Sequence, residues 1–361
     1  MPQVAQWTGE RPGRWAIRSL IGLLALLGLP SMGEAEYGGP SGRPMLDPTL
    51  EAYMPATQTS GHMKIAGSDT MQPLLARLAG EFRRRHFGAR VSIEGGGSDI
   101  VLKEFLAEQS KPARVAENGP EGVVVVAASS RLLTDEETKR FVARHGYEPT
   151  VFPVAVDAVG IYVHRDNPLT HLTLDQVDAI FSTTRNRGYA REITRWGELG
   201  LRHEWDNAPI RLYGRNQKSG TRTFVKEHVL RYGEFSPAVH EEPGAASVIL
   251  SVSRDPLGMG YSGIGLQAST VRLIPLAEKD GAPPVMPSVA SVMDGSYPLR
   301  RFLYLYLDRP ATASLPPLAR EFLAFVNSRE GQEAVIQAGF YPLPLTQTKQ
   351  SLALLASPSA R

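Results

Sequence analysis

The sequence contains no cysteine. That excludes disulfides, thiolate metal centres, a cysteine nucleophile and a lipid-modified N-terminal cysteine, and it suits an oxidising compartment as readily as a reducing one. Charge of one sign is missing too: 39 Lys and Arg against 37 Asp and Glu leave a net +2, with no bias toward nucleic acid or a membrane surface. The eight histidines are scattered, and there is no His-Glu-x-x-His and no Walker loop. The nearest approach to a serine-hydrolase elbow, Gly260-Tyr-Ser-Gly-Ile264, fails at its last position. Beyond the N-terminus no apolar run is long enough to span a bilayer.

What is present reads as a globular chain. Its 361 residues, 42% hydrophobic and 21% charged, leave room for one large or two medium domains. Arg11, Arg14 and Arg18 precede the apolar run Leu20–Leu29, followed by Pro30, Ser31, Gly33 and Ala35. This is the pattern of a cleaved export signal over residues 1–35; the run is short for an uncleaved anchor. Residues 36–62, rich in Gly, Pro, Ser and Thr, read as a poorly ordered leader.

From Met63 onward the chain alternates strands and helices. Met63–Ala66 is a strand running into Gly67-Ser68-Asp69-Thr70, then a helix marked by Leu74, Leu75, Leu78 and Phe82, with Pro73 in its first turn. Arg90–Glu94, the turn Gly95-Gly-Gly97 and the helix capped by Ser98 repeat the pattern; the glycines either bring backbone close to a ligand or satisfy a tight turn. Val123–Val126 reads as a buried central strand ending in Ser129, Ser130 and Arg131, at the end of a sheet where ligands bind. Val151–Val163 is a long extended stretch with Asp157 in its middle, suited to passing between domains. The arginine-rich segment from Thr183 to Trp196 reads as a solvated loop or a partner surface. Gly258–Gly265 reads as a strand returning to the first domain, and Leu318–Ala338 as one helix.

The stretch Tyr213–Phe224 draws these together. A strand ends near Tyr213, Arg215 follows, and Ser219 caps a helix beginning near Thr221. The first N–H groups of a helix lack intrahelical acceptors and sit at the positive end of its dipole. Gly220 leaves the backbone open, and Ser219 and Thr221 add hydroxyls. Arg215 adds a planar cation able to bind an oxyanion through two parallel hydrogen bonds. The alternative is an ordinary capped surface helix.

These stretches resemble, in order, the substrate-binding proteins of phosphate ABC transporters. The matches are Ile65–Met71, Gly95–Ser98, Ser129–Arg131, Phe152–Asp157, Leu172–Leu174 with Ile180–Ser182, Gly214–Arg222, Gly260–Gly263 and Tyr297–Arg300. The resemblance implies an α/β, two-lobed type II periplasmic-binding-protein fold, with two α/β domains joined by two hinge crossovers. The expected parts are residues 63–157 with 258–346, a second domain over 158–257, and a tail over 347–361. It implies a periplasmic monomer with no enzymatic activity, metal or cofactor, which carries inorganic phosphate to a membrane permease. The ligand would lie among Ser68, Asp69, Thr70, Ser98, Ser129, Ser130, Arg215, Ser219, Gly220 and Thr221. Members often carry a carboxylate after the strand-end serine to accept the ligand's proton; here Ser130 stands there, which leaves Asp69 as the expected acceptor. The same departure leaves sulfate, molybdate or a phosphonate as alternative ligands, and a phosphate-ester hydrolase as an alternative activity.

Overall fold

The computed structural model describes residues 44–107, 123–266, 268–309 and 314–356. The expected export signal and the last residues of the tail lie outside these. In chain order the elements are β1 (Ser60–Gly67), α1 (Gln72–Arg83), β2 (Gly88–Glu94), α2 (Ser98–Leu106), β3 (Val123–Ser129), α3 (Asp135–His145) and β4 (Thr150–His164). Then come β5 (Leu172–Thr173), α4 (Leu174–Phe181), β6 (Arg211–Arg215), α5 (Gly220–His228), β7 (Val239–Glu242), α6 (Ala245–Arg254) and β8 (Gly258–Gly263). The chain finishes with β9 (Val271–Leu273), β10 (Leu276–Ala277), α7 (Val289–Asp294), β11 (Arg300–Leu307), α8 (Pro317–Val326), α9 (Arg329–Gln337) and α10 (Leu345–Ala356).

Most strands join one sheet in the order β2-β1-β3-β11-β4-β8-β6-β7, with β9 also on β4. β1, β2 and β3 are mutually parallel, as are β6, β7 and β8, so each set ends on one edge. β4 and β11 are antiparallel to each other and join the two sets. β4 is nearly all apolar because both of its faces are covered. Pro153 cannot donate to the ladder, and the β4–β11 register slips beside it, between Leu303 and Tyr304.

Two hydrophobic cores flank this crossing. The first gathers Met63, Ile65, Leu74, Phe82, Phe152, Val154, Leu303 and Phe322, among others. The second gathers Val156, Val159, Ile161, Phe181, Trp196, Phe224, Tyr261 and Tyr297, among others. β4 thus leaves one core and enters the other within two residues, between Ala155 and Val156.

Several expectations change. Residues 258–299, expected with the first domain, supply Met259, Tyr261, Ile264, Ile274, Leu276, Val292, Tyr297 and Leu299 to the second core. β8 pairs with β4 and β6, and the return to the first core is made by β11. Part of the expected leader is packed: Leu50 and Tyr53 are buried, and the Tyr53 hydroxyl donates to Glu321 at 2.6 Å and lies 2.7 Å from His86 Nε2. β1 begins at Ser60, inside that leader. The expected tail contributes α10, with Leu355 in the first core. The single expected helix from Leu318 is two, because Ser328 accepts the Gly331 N–H and caps a new helix. The arginine-rich segment is mostly exposed, as a solvated loop would be, but Arg187 ties it to the end of α5 by donating to the carbonyls of Val229 and His228, both at 2.6 Å.

Candidate functional site

The carboxyl ends of β1, β2, β3 and β6 lead into the turns expected to bind an anion. Ser68 N–H donates to Ala128 O at 2.9 Å, which fixes the first turn across the end of β3. Gly97, at φ +93°, brings its backbone against Lys218 O: a Cβ there would lie 2.0 Å away, so only glycine fits. Ser98 Oγ accepts the Ser130 N–H at 3.1 Å and lies 3.2 Å from Ser130 Oγ. A Cβ on Gly220 would lie 2.6 Å from Ser98 Oγ and 2.9 Å from Ser130 Oγ. Thr70 Oγ1 faces Thr221 Oγ1 at 3.3 Å. The structure therefore brings the first-core turns onto the start of α5, where Ser219 accepts the Thr221 N–H at 3.2 Å.

Arg215 lies at the centre of this ring and is 1% exposed. Its Nη2 reaches Asp69 Oδ2 at 3.4 Å and Pro243 O at 3.3 Å, while Nε and Nη1 have no hydrogen-bond partner among the described residues. Burial pulls its pKa down; Asp69 opposes this and the charge of Arg301 adds to it. A buried guanidinium with two unanswered nitrogens costs several kcal/mol by order of magnitude, and an anion is the species that relieves it.

Ser129, Arg131 and Asp69 are committed to partners within the protein. Ser129 Oγ donates to Arg131 O at 2.8 Å and accepts the Arg131 N–H at 3.2 Å, so its hydroxyl is consumed in its own turn. Arg131 grips Asp99 at 2.8 Å and Glu137 at 2.7 Å, bracing the start of α2. Asp69 is occupied at both oxygens, with Gly96 N–H at 3.0 Å on Oδ1 and Arg215 on Oδ2, and its side chain is one-quarter exposed.

Two residues absent from the expected set are here. Asp157 of β4 and Arg301 of β11 face each other across the register, with Nε at 3.0 Å and Nη2 at 2.7 Å from Asp157 Oδ2. Arg301 Nη2 also donates to Thr221 Oγ1 at 3.1 Å. The signal for them was Asp157 itself: one carboxylate within a run of Val and Ala demands a buried cation. Among the described residues no group of three or more His, Asp or Glu side chains is placed to hold a metal ion.

A model described as a PBP superfamily domain matches residues 54–330. The phosphate-binding protein PstS of Pseudomonas aeruginosa is 39% identical over 88% of this chain and 94% of its own length. The chain belongs to the PBP superfamily and, within it, to the PstS family. A more distant relative is the protein SphX of Synechococcus elongatus, 26% identical over 77% of this chain and 76% of its own. The fold is also that of a putative phosphate ABC transporter substrate-binding protein with bound phosphate from Clostridium perfringens. That likeness has a TM-score of 0.61 and 22% identity, over 79% of this chain and 100% of that one. An ABC-type phosphate transport receptor from Vibrio cholerae gives a TM-score of 0.58 at 21% identity, over 78% of this chain and 100% of that one.

Proposed function

We propose that this protein binds inorganic phosphate between its two cores and hands it to the membrane permease of an ABC importer, as a periplasmic monomer with no catalytic step. The observation that carries the reading is Arg215, buried with two nitrogens unpartnered among the described residues, where the starts of α2 and α5 and the hydroxyls of Thr70, Ser98, Ser130 and Thr221 converge. A tetrahedral oxyanion answers all of these at once. Ser68 and Asp69 shape the first turn, and Ser219 and Gly220 present the first N–H groups of α5. Phosphate is favoured over sulfate, molybdate or a phosphonate by the kinship with PstS.

The cores act as two lobes, residues 44–107, 123–156, 301–309 and 314–356 against 157–266 and 268–300, which close on the ligand by bending at β4 and β11. Closure excludes water and strengthens each donor.

Calorimetric titration of the mature protein tests this. Saturable phosphate binding is expected, with Arg215→Ala weakening it at least about 100-fold, as losing a charged, paired hydrogen-bond donor costs ~3 kcal/mol. Absence of phosphate binding to the wild type, or Arg215→Ala binding as well as wild type, would remove the assignment.

A further inference from the structure

The Asp157–Arg301 pair is half-used. Asp157 Oδ1 and Arg301 Nη1 are both buried and have no hydrogen-bond partner among the described residues. The pair is sealed, Asp157 being 1% exposed and Arg301 5%. It also opens onto the site: Arg301 Nη2 holds Thr221 Oγ1. A Cβ built on Gly263 would lie 3.3 Å from Asp157 Oδ2 and 3.4 Å from Thr70 Cγ2, so the carboxylate sits beside the two threonines that face each other across the cleft. Asp69, by contrast, has each oxygen committed and is reached by solvent.

Resting on the phosphate reading above, we propose that Asp157 is the specificity-determining carboxylate of this site: its free Oδ1 accepts the hydrogen bond of the ligand's P–O–H, while Arg301 holds it in place. Asp69 then orients Arg215 instead of reading protonation. The proton stays on the ligand and no bond breaks. Phosphate and arsenate carry such a proton at neutral pH; sulfate carries none, so its oxygen would meet a dry carboxylate charge to charge. Sites built around one such hydrogen bond reject the analogue lacking it by about 10⁴-fold.

The surroundings are dry, and Arg301 is the main group that favours the ionised carboxylate. Burial raises the Asp157 pKa, opposed by the charge and hydrogen bonds of Arg301 and by the Ala158 N–H. The other titrating groups that feel it are Tyr162 on β4 and Tyr341 after α9, both raised first by their own burial and both neutral at working pH.

The test is calorimetry with inorganic phosphate, arsenate and sulfate on wild type, Asp157→Asn, Asp69→Asn and the charge-neutral double variant Asp157→Asn/Arg301→Gln. Wild type is expected to bind phosphate and arsenate and to ignore sulfate. Asp157→Asn is expected to weaken phosphate about 100-fold and to admit sulfate, shrinking the phosphate-to-sulfate ratio to about 10. The double variant separates selectivity from net charge: sulfate must still bind when Arg301 is gone. It also supplies the measurement if the single variant leaves Arg301 too strained to fold. Asp69→Asn is expected to weaken both anions while keeping sulfate excluded. Retained sulfate exclusion in Asp157→Asn, its return in the double variant, or its loss in Asp69→Asn would overturn the assignment while leaving phosphate binding intact. A wild type that binds no phosphate would remove the underlying reading and this one with it.

Discussion

Gly220 shows how closely the site is built at the level of single atoms. Its Cα faces Ser98 and Ser130, and an added methyl would meet the Ser98 side chain at 2.6 Å. Ser98 begins α2 and cannot retreat without moving that helix. Overpacking of this kind costs about 1–3 kcal/mol. Gly220→Ala should therefore lower phosphate affinity about tenfold or more in calorimetry, with the melting temperature of the ligand-free protein little changed, because the clash arises only between the two cores. The turns that carry the proposed binding residues were legible in the sequence because each follows a strand and opens a helix. Ser129 was not separable from Ser130: adjacent strand residues point to opposite faces, and which serine meets the cleft depends on the sheet's orientation. Asp157 was visible as an anomaly, but its partner lies 144 residues away and is set by the β4–β11 register. No local pattern encodes that register.

Helix α3 and its surroundings act as a brace. Thr134 accepts the Glu137 N–H at 3.2 Å, and Glu137 returns the contact to the Thr134 N–H at 2.8 Å, forming a reciprocal cap. Glu137 also holds Arg131, which in turn holds Asp99 at the head of α2. Thr134→Ala should cost ~1 kcal/mol in chemical denaturation without altering phosphate affinity. Burial would raise the Glu137 pKa, but the hydrogen bonds and charge of Arg131 and the Thr134 N–H outweigh it and hold the carboxyl below its ordinary value. Its stabilisation is thus complete above the ordinary glutamate range and is lost as pH falls through the lowered value. The stability gap between wild type and Glu137→Gln should narrow as pH drops through that window, and a gap that widens would reverse the sign. At this scale most strands and helices followed from apolar spacing and caps. The split between α8 and α9 did not, since Asn327 and Ser328 fall within an otherwise continuous helical pattern.

For the whole molecule, the two cores are also joined by contacts that need no ligand, and these would favour the proposed closed form. Asp99 N–H donates to Lys218 O at 3.2 Å, and Thr223 Oγ1 donates to Asp99 Oδ2 at 2.5 Å, both between α2 and the segment of α5. Thr223→Ala removes one such bond and leaves Arg131 paired. A hydrogen bond to a charged group contributes about 1.5–3 kcal/mol, so the closed population should fall by tenfold or more relative to open forms. Small-angle scattering of the ligand-free variant should give a larger radius of gyration than wild type, and saturating phosphate should bring the two together. An unchanged radius would mean that this bond does not hold the cores together. The two-core plan was legible, but the second crossing was misplaced. β8 is rich in glycine and buried along its whole length, a pattern that fits either core, and only its pairing with β4 and β6 assigns it.

The described chain is fastened to the first core at both ends. Arg329 holds the carbonyl of Leu50 at 3.0 Å, and Glu330 receives the Tyr53 N–H at 2.6 Å. At the other end, Leu355 of α10 is buried in the same core. A surface or fusion partner attached through either end therefore grips one lobe and leaves the other free to swing. A fluorophore pair with one dye on that held lobe and one on the exposed face of α6, at Leu250, would report ligand capture as a change in distance without touching the binding residues.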